Sequence, residues 1–266
     1  MSYYHWLALL ALMFIALERG WPRVAGQPLL RTGWLSDAAY LVFNSRYFGV
    51  LLGYFTVLWL GTLDTVFARR WLAEYPWWAQ FGALLVSIDF LKWLIHNLLH
   101  RTPMLWEFHK VHHSIVEMDW IGDWRFHWGE ILVYNALLYA PTALLGVRGD
   151  AALAVGVFDT LIGHFAHANL RWRIGWLKYL INSPEMHLWH HNHPDSGPVN
   201  RNFALTLSVW DWMFGTAHLP DHDPERLGFE GVERYPRELP GQWVEPFRAL
   251  MGKQRRKSSP QPERPS

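Results

Sequence analysis

The segment EFHKVHHS, residues 107–114, places three histidines within five positions, and EMHLWHHN, residues 185–192, repeats the same H-x-x-H-H spacing. On a helix, positions three and four apart share a face, so each segment can direct two or three imidazoles the same way. Shuffling a chain of this histidine content gives roughly 0.05 copies of the spacing, so two copies indicate a shared cause. A shared metal is the leading interpretation, and buried or interface histidines are the alternative.

Further histidines recur at helical spacing in HNLLH, residues 96–100, and HFAHAN, residues 164–169. The candidate metal ligands are His96, His100, His109, His112, His113, His164, His167, His187, His190 and His191. Zinc sites close at four ligands and other first-row metals usually at six, so this set predicts two ions. Imidazole suits zinc, copper, iron and nickel alike. A redox pair that binds dioxygen explains both the number of ligands and their place at the ends of apolar helices.

The composition excludes several classes of site. The chain has 266 residues and no cysteine, so it forms neither a disulfide nor a thiolate-bound iron–sulfur cluster or haem. A net charge of +1, without one continuous basic segment, predicts no nucleic-acid partner. The 18 tryptophans are typical of a membrane interface, although large protein cores also use them.

Long apolar runs dominate the chain before residue 170. They span residues 4–17, 48–63, 77–95, 131–147 and 151–165. With no alternating strand pattern, they predict an all-α polytopic membrane bundle of four or five spans, with a helical hairpin turning at residues 148–150. A soluble protein with long buried helices is the alternative, because several runs are short for a span.

The basic residues predict which side of the membrane carries the histidines. Arg19, Arg23 and Arg31 follow the first run, and residues 253–257 include four more cations, which places both regions in the cytoplasm. With five spans, all the histidine clusters then form a helical cap on the cytoplasmic face. Arg69 and Arg70 fall on the predicted outer side and count against this topology, unless they belong to an interfacial helix. The Pro-rich and Ser-rich tail, residues 253–266, predicts disorder.

The chain resembles the fatty acid hydroxylase and sterol desaturase family of membrane-bound, histidine-rich diiron oxygenases. The resemblance rests on HNLLH (96–100), HKVHH (109–113), RFHWGE (125–130), HFAHAN (164–169), HLWHH (187–191) and NRNFALTLSVWDWMFGT (200–216). It covers about residues 80–220. We therefore expect N-terminal membrane helices over residues 1–75, a catalytic domain over 76–220 and a C-terminal extension over 221–266.

The resemblance implies two non-haem iron ions that use O2 to hydroxylate or desaturate a C–H bond of a membrane lipid, such as a sterol or a fatty acyl chain. Electrons would come from a separate reductase with a ferredoxin or cytochrome. The implied iron ligands are the ten histidines named above, among which His164 departs from the family spacing. Members often space this pair one residue wider, and Gly163 stands at that position here.

The resemblance and the composition also indicate residues that orient the ligands. His127, Glu130, Asn169 and Asp211 are these candidates. The family often shows R-x-H-P-x-E, in which Trp128 replaces the proline here, so a turn role for His127 is as plausible as a ligand role. Carboxylates often accept the free N–H of a metal-bound imidazole. Asp89, Glu107, Asp119, Asp159 and Glu185 are further acids in the region, better explained as caps, turns or surface charges.

Two other functions fit parts of the pattern. A membrane cytochrome with bis-histidine haems uses histidines on spans, but two haems need four ligands, and adjacent histidines do not serve one haem face. A zinc hydrolase or a metal transporter also binds imidazole, although transport requires ligands at the middle of the membrane. Here the clusters fall near the ends of the apolar runs.

Overall fold

The computed structural model describes residues 2–44 and 71–258, and this part of the chain is helical. Within it, extended pairing is limited to two isolated bridges, Pro22 to Leu170 and Asn192 to Leu227. The α-helices are α1 Tyr3–Gly20, α2 Trp34–Val42, α3 Trp77–Arg101, α4 Pro103–His113, α5 Trp128–Leu145, α6 Gly149–His167, α7 Pro184–His190, α8 Val209–Met213 and α9 Leu239–Ser258. Short 3₁₀ turns lie at Trp120–Trp124, Gly175–Tyr179, Pro194–Ser196 and Val232–Arg234. The all-α prediction is confirmed for these residues.

A single residue, Thr102, separates α3 from α4. Its backbone is extended, with φ −101° and ψ 112°, and Pro103 takes the first position of α4, where a missing N–H costs no helical bond. This break turns α4 back against the last two turns of α3, which carry His96 and His100. Local sequence chemistry thus brings the first two histidine segments together.

Helices α5 and α6 form the hairpin that the sequence predicts. Helix α5 ends at Gly146, which adopts the left-handed conformation with φ 59°, as helix-terminating glycines do. The N–H of Arg148 then donates to Oε1 of Gln80 at 2.8 Å, which ties the turn to α3. The turn lies slightly earlier than residues 148–150, because α6 already begins at Gly149.

Helix α1 packs on α6 and on the turn Trp120–Trp124. Phe14, Trp120 and Leu170 share one buried cluster. At the end of α1, the buried carboxylate of Glu18 accepts the N–H of Trp120 at 2.9 Å and of Asn169 at 2.8 Å. The C-terminal ends of α1 and α6 therefore lie on the same side of the bundle.

Helix α9 returns along α4 and α2, and it extends to Ser258. Residues 253–258 belong to this helix, and the disorder expected from the composition of the tail stays a prediction. Lysine, glutamine and arginine favour helix. Residues 259–266 lie outside the described part.

One described helix, α3, is long and apolar enough to cross a membrane, with a mean hydropathy of 1.4 over its best window. Helices α1, α5 and α6 have 18, 18 and 19 residues. At 1.5 Å per residue they are about 27 Å long, slightly below the roughly 30 Å of a bilayer core. The predicted span at 48–63 and the pair Arg69 and Arg70 lie outside the described residues, and the polytopic topology stays a prediction.

Candidate metal centre

The structure brings nine of the ten candidate ligands into two groups at the ends of α3, α4, α6 and α7. The five-histidine group contains His96, His100, His109, His113 and His190. The four-histidine group contains His112, His167, His187 and His191. In each group, one ring nitrogen per residue lies within 4.8 Å of all the others. Eight of the nine residues expose 3% of their surface or less.

Each H-x-x-H-H segment contributes to both groups. Its first and fifth positions lie on one face of the helix, whereas the fourth is rotated by about 100° from the fifth. In α4, His109 and His113 join the five-histidine group, and His112 joins the four-histidine group. In α7 and at its end the assignment is reversed, because His187 and His191 join the four-histidine group and His190 joins the five-histidine group. The repeated spacing therefore divides each segment between two adjacent groups.

The imidazoles direct their Nε2 atoms toward one another. In the five-histidine group, the Nε2 atoms of His96 and His109 are 3.0 Å apart. The other close Nε2 pairs are His100–His113 at 3.1 Å, His167–His187 at 3.0 Å, His112–His191 at 3.0 Å, His187–His191 at 3.1 Å and His112–His167 at 3.4 Å. The nitrogens of each group thus converge on a common point.

The outward Nδ1 atoms of six ligands meet hydrogen-bond acceptors. These are His96 with the Phe203 carbonyl (2.6 Å), His100 with Oδ1 of Asn200 (3.1 Å), His109 with Oε1 of Glu130 (2.9 Å), His112 with the Arg125 carbonyl (3.2 Å), His167 with the Gly163 carbonyl (2.9 Å) and His190 with the Arg201 carbonyl (2.9 Å). Carbonyl and carboxylate oxygens only accept, so Nδ1 carries the proton and the Nε2 lone pair points into the group.

This donor set fits metal ions. Burial lowers the pKa of His190 to about 3, and burial together with nearby imidazoles lowers the pKa values of His112 and His187 well below the ordinary value. Neutral rings with inward lone pairs repel one another at 3.0 Å unless a cation lies between them. The buried Nε2 of His190 has no hydrogen-bond partner, as expected for an atom that ligates a metal.

The nitrogen separations also bear on the coordination geometry. With metal–nitrogen bonds of about 2.1 Å, ligands at right angles lie about 3.0 Å apart and tetrahedral ligands about 3.4 Å apart. Most close pairs are at 3.0–3.1 Å, and the His112–His167 pair alone among those given above is at 3.4 Å. Five imidazoles also exceed the four of a closed zinc site. These separations are those of nitrogens that could share one ion.

Glu130 and Asp211 support imidazoles in different ways. Glu130 accepts the Nδ1 proton of His109 directly at 2.9 Å. Asp211 contacts the backbone instead, accepting the N–H of Phe203 at 2.9 Å, and the Phe203 carbonyl in turn accepts from His96. The carboxylate of Asp211 also accepts from the Ala204 N–H, Trp93 Nε1 and Thr216 Oγ1. Asp211 therefore orients His96 through a peptide unit.

The segment NRNF, residues 200–203, supplies acceptors to the five-histidine group only. Its Asn200 side chain and the Arg201 and Phe203 carbonyls serve three of the five imidazoles. Asn200 and Asn202 have φ 59° and 55°, a left-handed conformation that asparagine tolerates better than most residues. Farther along, Asp89 of α3 accepts the N–H groups of residues 206 and 207. The sequence signature at 200–216 is thus a braced loop that aims imidazoles.

His127 and Asn169 use their hydrogen bonds elsewhere. His127 caps α5, since its Nδ1 accepts the Gly129 N–H at 3.0 Å and its Nε2 donates to the Trp243 carbonyl at 3.0 Å. Asn169 pairs with the backbone of Val24 through Oδ1 at 2.9 Å and Nδ2 at 3.2 Å. Both side chains thus bond to the backbone around the site, and a role for them in orienting an imidazole stays a prediction.

His164 lies outside both groups, and Asp123 explains why. The Nδ1 atom of His164 donates to Oδ2 of Asp123 at 3.0 Å, while Oδ1 lies 3.5 Å from Nδ1 of His167. A Cβ atom at Gly163 would meet both oxygens of this carboxylate at 2.7 Å. Asp123 thus occupies the space of the wider-spaced family ligand. Sequence reasoning missed Asp123, because it lies in a 3₁₀ turn without histidine spacing around it.

The remaining acids have partners of their own. Asp119 pairs with Arg31 at 2.5 Å, and Asp159 pairs with Lys92 at 2.5 Å. The others are Glu107 with Lys110 at 2.9 Å and Glu185 with Arg173 at 3.9 Å. Buried Asp37 joins Arg31 to Arg125, whose carbonyl accepts from His112, so this ion network lies directly behind the four-histidine group.

The sequence profile of the fatty acid hydroxylase family matches residues 81–216, which is half of the chain and contains every histidine of both groups. The chain belongs to the fatty acid hydroxylase family. The resemblance drawn from the motifs is therefore confirmed.

Three relatives illustrate the range of this family. The chain is 33% identical over 150 residues to ornithine lipid hydroxylase OlsE of Rhizobium tropici, covering 56% of this chain and 45% of the relative. It is 25% identical over 195 residues to alkylglycerol monooxygenase of Xenopus tropicalis, covering 72% and 42%. It is 23% identical over 158 residues to very-long-chain aldehyde decarbonylase GL1-5 of Oryza sativa subsp. indica, covering 53% and 25%. The matches span less than half the length of these relatives, and no solved structure matches the chain.

Proposed function

We propose that this protein is a membrane-bound, O2-dependent diiron oxygenase that hydroxylates a C–H bond of a lipid. The pair of buried, all-imidazole groups within a fatty acid hydroxylase domain carries this proposal. An unactivated C–H bond has no acidic proton, so side-chain acid–base chemistry does not cleave it. Two bound irons would supply the redox and dioxygen chemistry that the reaction requires.

The protein's own residues hold and tune the site. The nine grouped histidines are the proposed ligands, and acceptors such as Glu130 and the Arg201 carbonyl keep the Nε2 lone pairs of six of them directed inward. Neutral imidazoles leave the charge of the ions uncompensated. The nearby carboxylates of Glu130 and Asp123 are therefore the groups that offset it, while burial excludes water from the reaction.

Hydroxylation is favoured over desaturation by the names of two relatives. One is a lipid hydroxylase and another is a monooxygenase, and both names describe insertion of oxygen. The shared region contains the complete set of grouped histidines. We therefore propose a lipid with a long alkyl chain as the substrate.

Exposed apolar side chains support a membrane location. Leu9 and Leu12 on α1 expose 49% and 65% of their surface, and Val86 and Leu98 on α3 expose 48% and 49%. The exposed Trp78 at the start of α3 suits the interface between bilayer and water. Hydrocarbon contact would bury these side chains at no cost in hydration.

The positions of the arginines support a cytoplasmic metal site. Helices α1 and α6 end on the same side of the bundle, joined by Glu18 and Asn169, and α6 ends at His167. Arg19 lies in the last turn of α1, and Arg23 follows three residues after its end. Positive residues favour the cytoplasmic side, so we propose that the histidine groups face the cytoplasm, where a separate redox protein can deliver electrons.

The rival metal sites fit the structure less well. A haem needs open space around its iron for a porphyrin plane, whereas further imidazoles occupy that space in each group. A structural zinc would be satisfied by four ligands and would not require a fifth. Zinc can still fill an iron site during overexpression, so the assay must measure both which metal is bound and whether the bound metal supports oxidation of lipid.

The test is the metal content of detergent-purified protein, measured by plasma emission for the parent chain, His190→Ala and His193→Ala. We expect about two irons per chain, with at least one lost from His190→Ala. His193 is the matched control, because it is a buried neighbour whose Nδ1 accepts the Asp195 N–H. Incorporation of ¹⁸O from ¹⁸O2 into extracted lipids then tests hydroxylation. Equal iron in the parent and His190→Ala, or no labelled lipid from iron-loaded protein, would refute the proposal.

A further inference from the structure

An exposed aromatic surface lies on the connection between α6 and α7, outside the histidine groups. The 3₁₀ turn Gly175–Tyr179 in this connection buries none of its residues, and Trp176 exposes 69% of its surface. The ring of Tyr179 lies 4.8 Å from that of Trp212 in α8, and Nε1 of Trp212 donates to the Lys178 carbonyl at 2.9 Å. The connection and α8 therefore form one surface, which we call the aromatic face. Its exposed large side chains are Trp172, Trp176, Tyr179, Leu180, Met213 and Phe214.

The aromatic face adjoins α3, the one described helix that is long and apolar enough to cross a membrane. Phe214 stacks on Trp93 of α3, with ring centroids 4.6 Å apart. Trp93 follows Trp77, the first residue of α3, by 16 positions. At 1.5 Å per residue this is about 24 Å, close to the far edge of a bilayer core of about 30 Å. A membrane-crossing α3 therefore places the aromatic face near the lipid headgroups, where tryptophan and tyrosine are favoured.

The connection between α6 and α7 carries positive charge without an acidic side chain. Residues 160–184 contain no aspartate or glutamate, but they include Arg171, Arg173 and Lys178. Arg171 and Lys178 are exposed, and no carboxylate of the described residues lies within 4.0 Å of either. Nζ of Lys178 lies 5.5 Å from the centroid of the Tyr179 ring, so one of these cations belongs to the aromatic face itself.

The acids of the flanking segments are engaged by other arginines. Arg173 lies 3.9 Å from Glu185 and 4.0 Å from the carboxylate of Asp221, and it donates to the Asp221 carbonyl at 2.7 Å. Asp223 lies 3.6 Å from Arg23. These acids therefore offset Arg173 and Arg23, and the charges of Arg171 and Lys178 remain without a partner.

We infer that the aromatic face lies in the membrane interface and binds the headgroups of anionic lipids. Its rings suit the boundary between hydrocarbon and water, and its two unpaired cations complement a net negative headgroup. A second copy of the chain fits less well, because a two-fold contact repeats the same surface and would place the unpaired cations of both copies in one interface. The inference rests on the proposed membrane location and not on the proposed reaction.

The test compares two lipids on the full chain purified in dodecylmaltoside. Dioleoyl-phosphatidylglycerol carries a net negative charge, whereas dioleoyl-phosphatidylcholine is zwitterionic, and native mass spectrometry gives the affinity for each. We expect the anionic lipid to bind more tightly. Arg171→Gln and Lys178→Gln should each weaken its binding about fivefold, equivalent to about 1 kcal/mol per cation, and should leave phosphatidylcholine binding unchanged. Trp176→Ala should weaken the binding of both lipids, because it removes an exposed ring but no charge.

Arg148→Gln is the matched control, since this exposed arginine is paired with Asp150 at 2.7 Å at the opposite end of α6. Equal affinity for the two lipids, or phosphatidylglycerol binding that both charge variants leave unchanged, would overturn the inference. A dimer in light scattering that Trp176→Ala dissociates would also overturn it. If the chain resists an alkaline wash of membranes but shows no lipid preference, only the inference fails. Release by the wash would refute the proposed membrane location as well.

Discussion

Replacing Gly163 with alanine should disturb the four-histidine group, whereas the same change at Gly156 on the same helix should not. A Cβ atom at position 163 would lie 2.7 Å from both carboxylate oxygens of Asp123, but at position 156 it would meet nothing within 4 Å. Asp123 cannot retreat freely, because it accepts from His164 at 3.0 Å and lies 3.5 Å from His167.

The magnitudes follow from these contacts. In a helix interior, alanine is favoured over glycine by about 1 kcal/mol, so Gly156→Ala should be neutral or stabilising by up to that amount. Gly163→Ala has the same propensity gain but must displace Asp123, which costs the hydrogen bond to His164, about 1.5–3 kcal/mol for a charged acceptor. Gly163→Ala should therefore be net destabilising by about 0.5–2 kcal/mol.

A double-mutant cycle gives the decisive assay. Thermal unfolding in detergent and iron content are measured for Gly163→Ala and Gly156→Ala, each in the parent and in an Asp123→Ala background. With the carboxylate removed, Gly163→Ala should lose its cost and behave like Gly156→Ala, giving a coupling energy of about 1.5–3 kcal/mol. The reasoning is refuted if Gly163→Ala is as well tolerated as Gly156→Ala in the parent, or if its cost persists without Asp123.

Three further predictions concern single ligands and their supports. Glu130→Ala should weaken iron binding about 10–100-fold by releasing Nδ1 of His109. Glu130→Gln keeps an acceptor and should recover part of the lost affinity. Metal titration measures both variants, and equal losses of affinity would contradict a hydrogen-bonding role. Asp211→Ala should destabilise the protein by at least about 2 kcal/mol, because two buried backbone N–H groups lose their acceptor, and unchanged thermal unfolding would count against this. His164→Ala should retain more iron than His167→Ala, since only His167 belongs to a histidine group, and the reverse order in metal analysis would restore His164 as a ligand.

Much of the site was predictable because histidine spacing is a local property of a helix. The residues i and i+4 share a face wherever the helix lies, so HKVHH and HLWHH already indicated imidazoles that act together, although the i+3 histidine of each segment joins the other group. The family signature at 200–216 was also recognisable. Its physical task was not, because an acceptor such as the Phe203 carbonyl lies 107 residues from His96 in the chain.

The predicted supporting residues show where local reasoning ends. Glu130 was anticipated and accepts from an imidazole directly, whereas Asp211 acts through the backbone. His127 and Asn169 had the right residue types in the right segments, yet their hydrogen bonds go to a helix cap and to a distant backbone. Asp123 gave no signal at all, since a lone aspartate in a turn resembles any surface charge.

The sequence by itself determined the helical class, the break between α3 and α4, and the identity of the histidines, because apolar periodicity, proline chemistry and ligand spacing act over a few residues. Only the tertiary structure decided how nine histidines divide into groups of five and four, and which carboxylates stand behind them. These features depend on the angles at which α3, α4, α6 and α7 meet, and those angles follow from packing among residues that are far apart in the chain.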